Sequence, residues 1–200
     1  MSVAPSAVSA PIRVAVIIGS VRKGRFGPTV AGWFVTQVAR HPGVEVDLID
    51  LIDYDLPAAL TDSPSPEIGA KLGELDPRLT AADAFVVVTP EYNHSVPASL
   101  KSFIDWHFVQ WQAKPVALIS YGGMAGGLRA VEHLRHIFAE LHAMTIRDSL
   151  SFHNFHAQFD AQGQLIEPAG AEAAADTLVN QLGWWARALR EARDKHPYGA

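Results

Sequence analysis

The chain has 200 residues, 48% hydrophobic and 18% charged, with a net charge of −5 and no cysteine. That size and balance suit one α/β domain with a sizeable core, and mild acidity without a basic stripe argues against nucleic acid as a partner. No apolar run approaches a membrane span, and the lack of cysteine excludes disulfides, thiolate metal sites and cysteine nucleophiles, so the expected setting is cytoplasmic.

Residues 1–11 are small and Pro-rich without the regions of a signal peptide, and read as a loose tail ahead of a single domain over 12–195. A Val/Ile run over 13–18 ends at Gly19, the pattern of a buried parallel strand. Residues 28–40 read as a helix: Pro28 suits its first turn, Val30, Phe34 and Val38 share one face, and His41-Pro42-Gly43 stops it. Residues 44–51 alternate apolar and acidic positions, a second strand with one side less buried. Residues 54–66 carry loop chemistry, and 67–82 form a helix that Pro77 should kink or split. A third strand is expected over 84–88, a helix over 98–109, a fourth strand over 115–120, a helix over 126–141 and the start of a fifth strand over 143–147. Residues 148–168 read as irregular or hairpin-like, turning at Gln162-Gly163, before a long Ala-rich helix over 169–193.

Such alternation calls for a parallel sheet covered on both faces, a three-layer α/β sandwich. Five strands suit the flavodoxin-like order 2-1-3-4-5, whose switch point lies between the first and third strands. The loops after Ile18, Val88 and Ser120 then become neighbours, and they are chemically the most unusual in the chain.

The first of these loops runs from Gly19-Ser20-Val21-Arg22 through Lys23-Gly24-Arg25 to Phe26-Gly27-Pro28-Thr29. It combines glycines that permit close backbone approach, hydroxyls, three basic side chains and a helix amino end with free N–H groups, which together make a phosphate cradle. It lacks the Gly-Lys-[Ser/Thr] ending of a nucleoside-triphosphate loop and the G-x-G-x-x-G of a dinucleotide fold. In the second loop, Pro90 and Pro97 stiffen the segment that holds Glu91, Tyr92 and Asn93. Consecutive N–H groups there suit the edge of a flat heterocycle such as a flavin, and they would favour its reduced, anionic form. The third loop, Ser120-Tyr121-Gly122-Gly123-Met124-Ala125-Gly126-Gly127, sets four glycines between a strand and a helix, as close approach to a planar ligand requires.

With these residues in place, the chain resembles the NADPH-dependent FMN reductase family, flavodoxin-like proteins that include flavin, quinone, azo and chromate reductases. The resemblance covers residues 13–146. It rests on Gly19-Ser20-Val21-Arg22, on Thr89-Pro90-Glu91-Tyr92-Asn93 with Pro97-Ala98-Ser99-Leu100-Lys101, and on Ser120-Tyr121-Gly122-Gly123 with Gly126-Gly127. It implies a bound FMN. Its phosphate would lie on Gly19, Ser20, Arg22 and the turn Arg25-Phe26-Gly27, its ring against Pro90, Glu91, Tyr92 and Asn93, with Ser120, Tyr121, Gly122 and Gly123 closing the other side. It also implies ping-pong transfer of hydride from NADPH or NADH through FMN to a quinone, a flavin or a similar acceptor, with no side-chain acid or base needed. A homodimer or homotetramer, with the flavin near a subunit interface, follows from the same resemblance. Many relatives carry small Ser and Asn residues where this chain has Arg25-Phe26-Gly27, so Arg25 or backbone N–H groups take over those phosphate contacts.

Two alternatives belong to the same chemistry. A flavodoxin-type electron carrier uses a Thr/Ser-rich phosphate loop and an acidic face, unlike the basic loop here. A flavin reductase that supplies reduced FMN to a monooxygenase would lose its flavin on a desalting column. Outside the loops, His133 with His136, and His153 with His156, each lack a third ligand, so no metal is expected. Lys101 and Asp105 are spaced for an i,i+4 pair. Trp106, Phe108 and Trp111 suit either core packing or an interface or flavin wall. Of the adjacent Trp184 and Trp185, one should be buried and the other at least partly exposed.

Overall fold

Strands β1 (Ile12–Ile18), β2 (Val44–Asp50), β3 (Ala84–Pro90), β4 (Pro115–Gly122) and β5 (Met144–His153) alternate with helices α1 (Gly27–Val38), α2 (Pro66–Ala81), α3 (Ala98–Asp105), α4 (Leu128–Glu140) and α5 (Pro168–Lys195). This computed structural model describes residues 10–199, so most of the expected tail lies outside the described residues. All strand pairs are parallel and the order is β2-β1-β3-β4-β5, the flavodoxin-like arrangement anticipated from the alternation.

Strand parity divides the core into two layers. Val14, Val16 and Ile18 of β1, Val86 and Val88 of β3, and Ala117, Ile119 and Tyr121 of β4 pack under α1 and α5. Ala15, Ile17, Phe85, Val87, Val116 and Leu118 face α2, α3 and α4. The central strands are buried on both sides, which is why they read as unbroken apolar runs. The adjacency of β1, β3 and β4 sets their carboxyl ends side by side, with Ile18 paired to Val88 and Pro90 to Tyr121.

Three elements depart from expectation. Helix α2 runs unbroken through Pro77; Pro77 and Gly73 lie on its exposed side, so the Gly73 carbonyl left without an N–H partner faces water. Helix α3 stops at Asp105, short of 109, and the chain then turns so that Trp111 is fully buried against Phe85, Phe138 and Phe103. Phe108 remains 49% exposed and the Trp106 indole donates to Pro57 O, so the expected aromatic cluster is split between core and surface. Strand β5 continues to His153, well past 147. Its polar residues hid this: Asp148 takes an inward position because Gln181 of α5 satisfies its N–H (3.1 Å) and carboxylate (3.2 Å). Beyond it the hairpin reading holds, with Phe159 bridged to Leu165 and Gly163 at φ +75° in the turn.

Lys101 and Asp105 pair at 2.6 Å. Trp184 is exposed, while Trp185 packs partly against the α1/α5 layer. Among the described residues, no helix is long and apolar enough to cross a membrane.

Candidate functional site

At the carboxyl ends of β1, β3 and β4 the three loops enclose a cavity of about 370 Å³. Its walls come from Arg22, Arg25 and Phe26 of the first loop, Pro90, Glu91 and Tyr92 of the second, and Tyr121, Gly122 and Gly123 of the third. A direct bond joins the first two loops: the buried Ser20 hydroxyl and the Tyr92 phenol share a 2.6 Å hydrogen bond.

Several residues expected to touch a ligand hold the loops instead. Arg25 is committed to Asp50 at the end of β2, through both terminal nitrogens (2.9 and 2.6 Å), and also donates to Ser20 O at 3.0 Å. It edges the cavity, yet its geometry is that of a bidentate structural pair. Arg22 makes no ion pair among the described residues and is exposed. Gly19 sits under Leu100 and donates its N–H to Val88 O, fastening β1 to β3.

In the second loop Tyr92 and Ser95 exchange backbone bonds at 2.9 and 3.0 Å, with Asn93 and His94 between them at φ 49° and 69°. Both central residues at positive φ define a type I′ turn. The Tyr92 N–H, expected to face a ring edge, is therefore consumed, and Asn93 is exposed on the turn, away from the cavity wall. Glu91, expected against the ring, accepts from the Arg129 backbone N–H at 3.2 Å and pairs with the Arg129 guanidinium at 3.0 Å, capping the start of α4. His133 on α4 bonds the Ser95 hydroxyl at 3.0 Å.

The glycines of the third loop divide by role. A Cβ on Gly126 would overlap Ser151 and His153, and one on Gly127 would lie 2.6 Å from Ser120 Cβ; both residues have positive φ. They let the loop pack on its own sheet. Ser120 and Ser151 donate to Gly126 O (2.8 and 2.9 Å), so Ser120 is also fastening rather than lining. A Cβ on Gly123 would meet nothing within 4 Å, the open position toward the cavity.

The floor has a different character. Helix α1 begins at Gly27 with no side-chain cap on its amino end. A Cβ on Gly27 would stand 2.8 Å from Ile18 Cγ2 and 3.1 Å from the Tyr121 hydroxyl, so glycine is required there. That hydroxyl is buried and has no hydrogen-bond partner among the described residues. Burial pushes the Tyr121 phenol well up from its ordinary value; Tyr92 adds to the effect, while the nearby Ser20 hydroxyl and the Arg22 and Arg25 charges oppose it. Tyr121 thus stays an O–H donor at neutral pH. An uncapped helix start, a buried donor without an acceptor and the exposed Arg22 fit the anionic end of a ligand. Flat walls at Pro90 and Gly122-Gly123 fit a planar body, so the residues present suit a phosphorylated heterocycle of the FMN type.

Phe155 and His156, which follow β5, also line the cavity. Sequence reasoning missed them because it ended the strand early and found no motif beyond it. The available signal was the aromatic run Phe152, Phe155, Phe159 on a segment otherwise read as loop.

Comparison with known proteins agrees with this geometry. The model of the family described as NADPH-dependent FMN reductase matches residues 12–157. An NAD(P)H-dependent FMN reductase of Schizosaccharomyces pombe is 34% identical over 132 residues, 62% of this chain and 64% of that protein. An NADPH:quinone oxidoreductase of Arabidopsis thaliana is 34% identical over 191 residues, 88% of this chain and 93% of that one. Among solved structures, FerB of Paracoccus denitrificans, a flavoenzyme NAD(P)H:(acceptor) oxidoreductase, aligns with a TM-score of 0.68 at 25% identity, covering 86% of this chain and 98% of that chain. On sequence and architecture together, the chain belongs to the NADPH-dependent FMN reductase family.

Proposed function

We propose that the cavity binds FMN and that the chain is an NAD(P)H-dependent oxidoreductase acting on quinones, flavins or similar acceptors. The observation that carries this reading is the partnerless, buried Tyr121 hydroxyl beside the uncapped start of α1, at the foot of a cavity walled by three loops. Bound there, FMN would supply two-electron chemistry between NADPH or NADH and the acceptor, in ping-pong alternation.

The protein's part is binding and orientation. Arg22, the Tyr121 hydroxyl and the Gly27 N–H at the start of α1 would hold the phosphate; Pro28 has no N–H, and those of Thr29 and Val30 donate to Phe26 O. Ser20 acts through Tyr92, fixing the phenol against the ring space, and Arg25 keeps the cradle in shape through Asp50. Pro90 and Gly122-Gly123 bound the ring, and Glu91 holds its loop to α4. No side chain in the cavity is needed as an acid or base for hydride transfer. A homodimer or homotetramer in the cytoplasm suits this reading, supported by the family membership and the absence of cysteine.

Stopped-flow mixing of the FMN-loaded protein with NADPH or NADH tests the proposal. Rapid loss of flavin absorbance, restored by a quinone, is the expected result. A protein that keeps its yellow colour in excess of both nucleotides is not a reductase.

A further inference from the structure

The connection from β5 to α5 lines the cavity through Phe155 and His156, and its placement is built. The Asn154 N–H donates to Gly123 O at 2.8 Å, the His153 ring bonds Met124 O at 2.9 Å, and Phe155 is buried with its ring 4.7 Å from that of Phe26 and 5.3 Å from that of Tyr121. Further along, the turn at Gly163 rests on the first turn of α1: a Cβ there would come within 2.9 Å of Thr29 Cγ2. The segment therefore touches the third loop at one end and the phosphate cradle at the other. His156 rides on it, its ring against that of Phe155 at 3.8 Å with a 38° tilt and edge-on to Phe26, the residue before α1, at 6.0 Å. It lines the same cavity as Arg22 and makes no hydrogen bond to the protein among the described residues.

We propose that this connection is a fourth wall of the mononucleotide site, and that His156 donates a ring N–H to the anionic group held at the amino end of α1. The inference rests on the FMN reading above. An imidazole has an N–H donor in either neutral tautomer and two when protonated, so the contact is open to it in every charge state. The close tilted contact with Phe155 limits the ring's orientation, and the uncapped α1 start with the partnerless Tyr121 hydroxyl marks where the anion sits.

Titrations of FMN and of riboflavin, followed by quenching of flavin fluorescence, test this with the wild-type chain, His156→Ala and His156→Gln. The alanine variant should bind FMN about tenfold more weakly, ~1.4 kcal/mol, and riboflavin within twofold of wild type. Glutamine, which keeps an N–H donor, should recover most of the loss. Because His156 is exposed, melting without flavin should be unchanged in both variants. An alanine variant that binds FMN within twofold of wild type overturns the inference. So does an equal loss for both flavins, which would make His156 a packing residue of the wall. A wild-type chain that binds neither flavin defeats the FMN reading itself, and one that binds riboflavin as tightly as FMN defeats only the anion contact.

Discussion

The two ends of the sheet both gather cations, but the carboxyl end, which pairs Arg25 and Arg129 with carboxylates, leaves Arg22 without a partner among the described residues. At the amino end, Asp83 accepts from the Arg13 N–H (3.0 Å) and Arg190 (3.1 Å) and pairs with Arg193 at 3.6 Å. Arg190 also reaches Pro11 O and Ala10 O, Arg193 reaches Ala113 O, and Lys114 donates to Leu79 O and Thr80 O. Each charge there has protein partners. At the carboxyl end Arg22 pairs with nothing among the described residues, and the Tyr121 hydroxyl is buried without an acceptor. Clustered charge by itself therefore does not mark a binding site; an unpartnered buried donor beside an uncapped helix start and an unpaired arginine does, whereas the His107 Nε2, also without a hydrogen bond among the described residues, lies in the core 3.5 Å from Asp76.

The largest effect should come from breaking the satisfied end. Asp83→Ala strands two arginines that are mostly buried and frees the Arg13 N–H. A loss of ~3 kcal/mol is expected, which lowers the melting midpoint by ~6–12 °C for a chain of this size. FMN affinity should stay within twofold of wild type. A variant that melts normally but loses FMN would erase the division between the two ends.

The same end carries a pH signature. Burial first, with the Arg193 charge adding to it and Asp83 opposing, pushes the Lys114 ammonium down from 10.5 to about 8. Below about 8 folded and unfolded chains both hold that proton; between about 8 and 10.5 only the unfolded chain does. Stability from this group therefore rises with pH across that window. Comparing urea melts of the wild type and Lys114→Met from pH 7.5 to 10.5, the difference in stability should move toward the wild type as pH rises. Parallel curves would mean that Lys114 stays charged in its carbonyl cage.

How much of this was open to reading from the sequence depended on the range of the contact. The sheet order followed from alternation and the right-handed crossover rule, and the convergence of the three loops followed from the order. Parity alone sends Tyr121 to the same side as Ile119 and Ala117, toward α1. Contacts across the fold were not legible. Arg25 looked like a phosphate ligand because nothing local reveals that Asp50 ends the neighbouring strand opposite Ile18. Glu91 looked like a ring contact because its partner Arg129 is far along the chain. The Tyr92 N–H looked free because Asn93-His94 is an unusual pair for a type I′ turn, which asparagine and glycine more often fill. The glycines of the third loop were visible, but only the packing of Ser151 and His153 assigns Gly126 to the fold and leaves Gly123 to the cavity.

The sharpest and smallest test removes a single oxygen. Tyr121→Phe takes away a buried hydroxyl that has no hydrogen-bond partner among the described residues and keeps the ring that packs against Phe155. In a satisfied site such a change costs stability; here it should stabilise the flavin-free chain by ~1 kcal/mol, because an unpaired buried polar group no longer has to be desolvated. The melting midpoint should rise by ~2–4 °C. FMN binding should weaken by about fivefold, the opposite sign, since a hydroxyl reserved for the phosphate is gone. Melting and FMN titration on the same preparation read both signs. A variant that melts lower and binds FMN unchanged would show that the hydroxyl serves the fold, and that the carboxyl end is fastened as completely as the amino end.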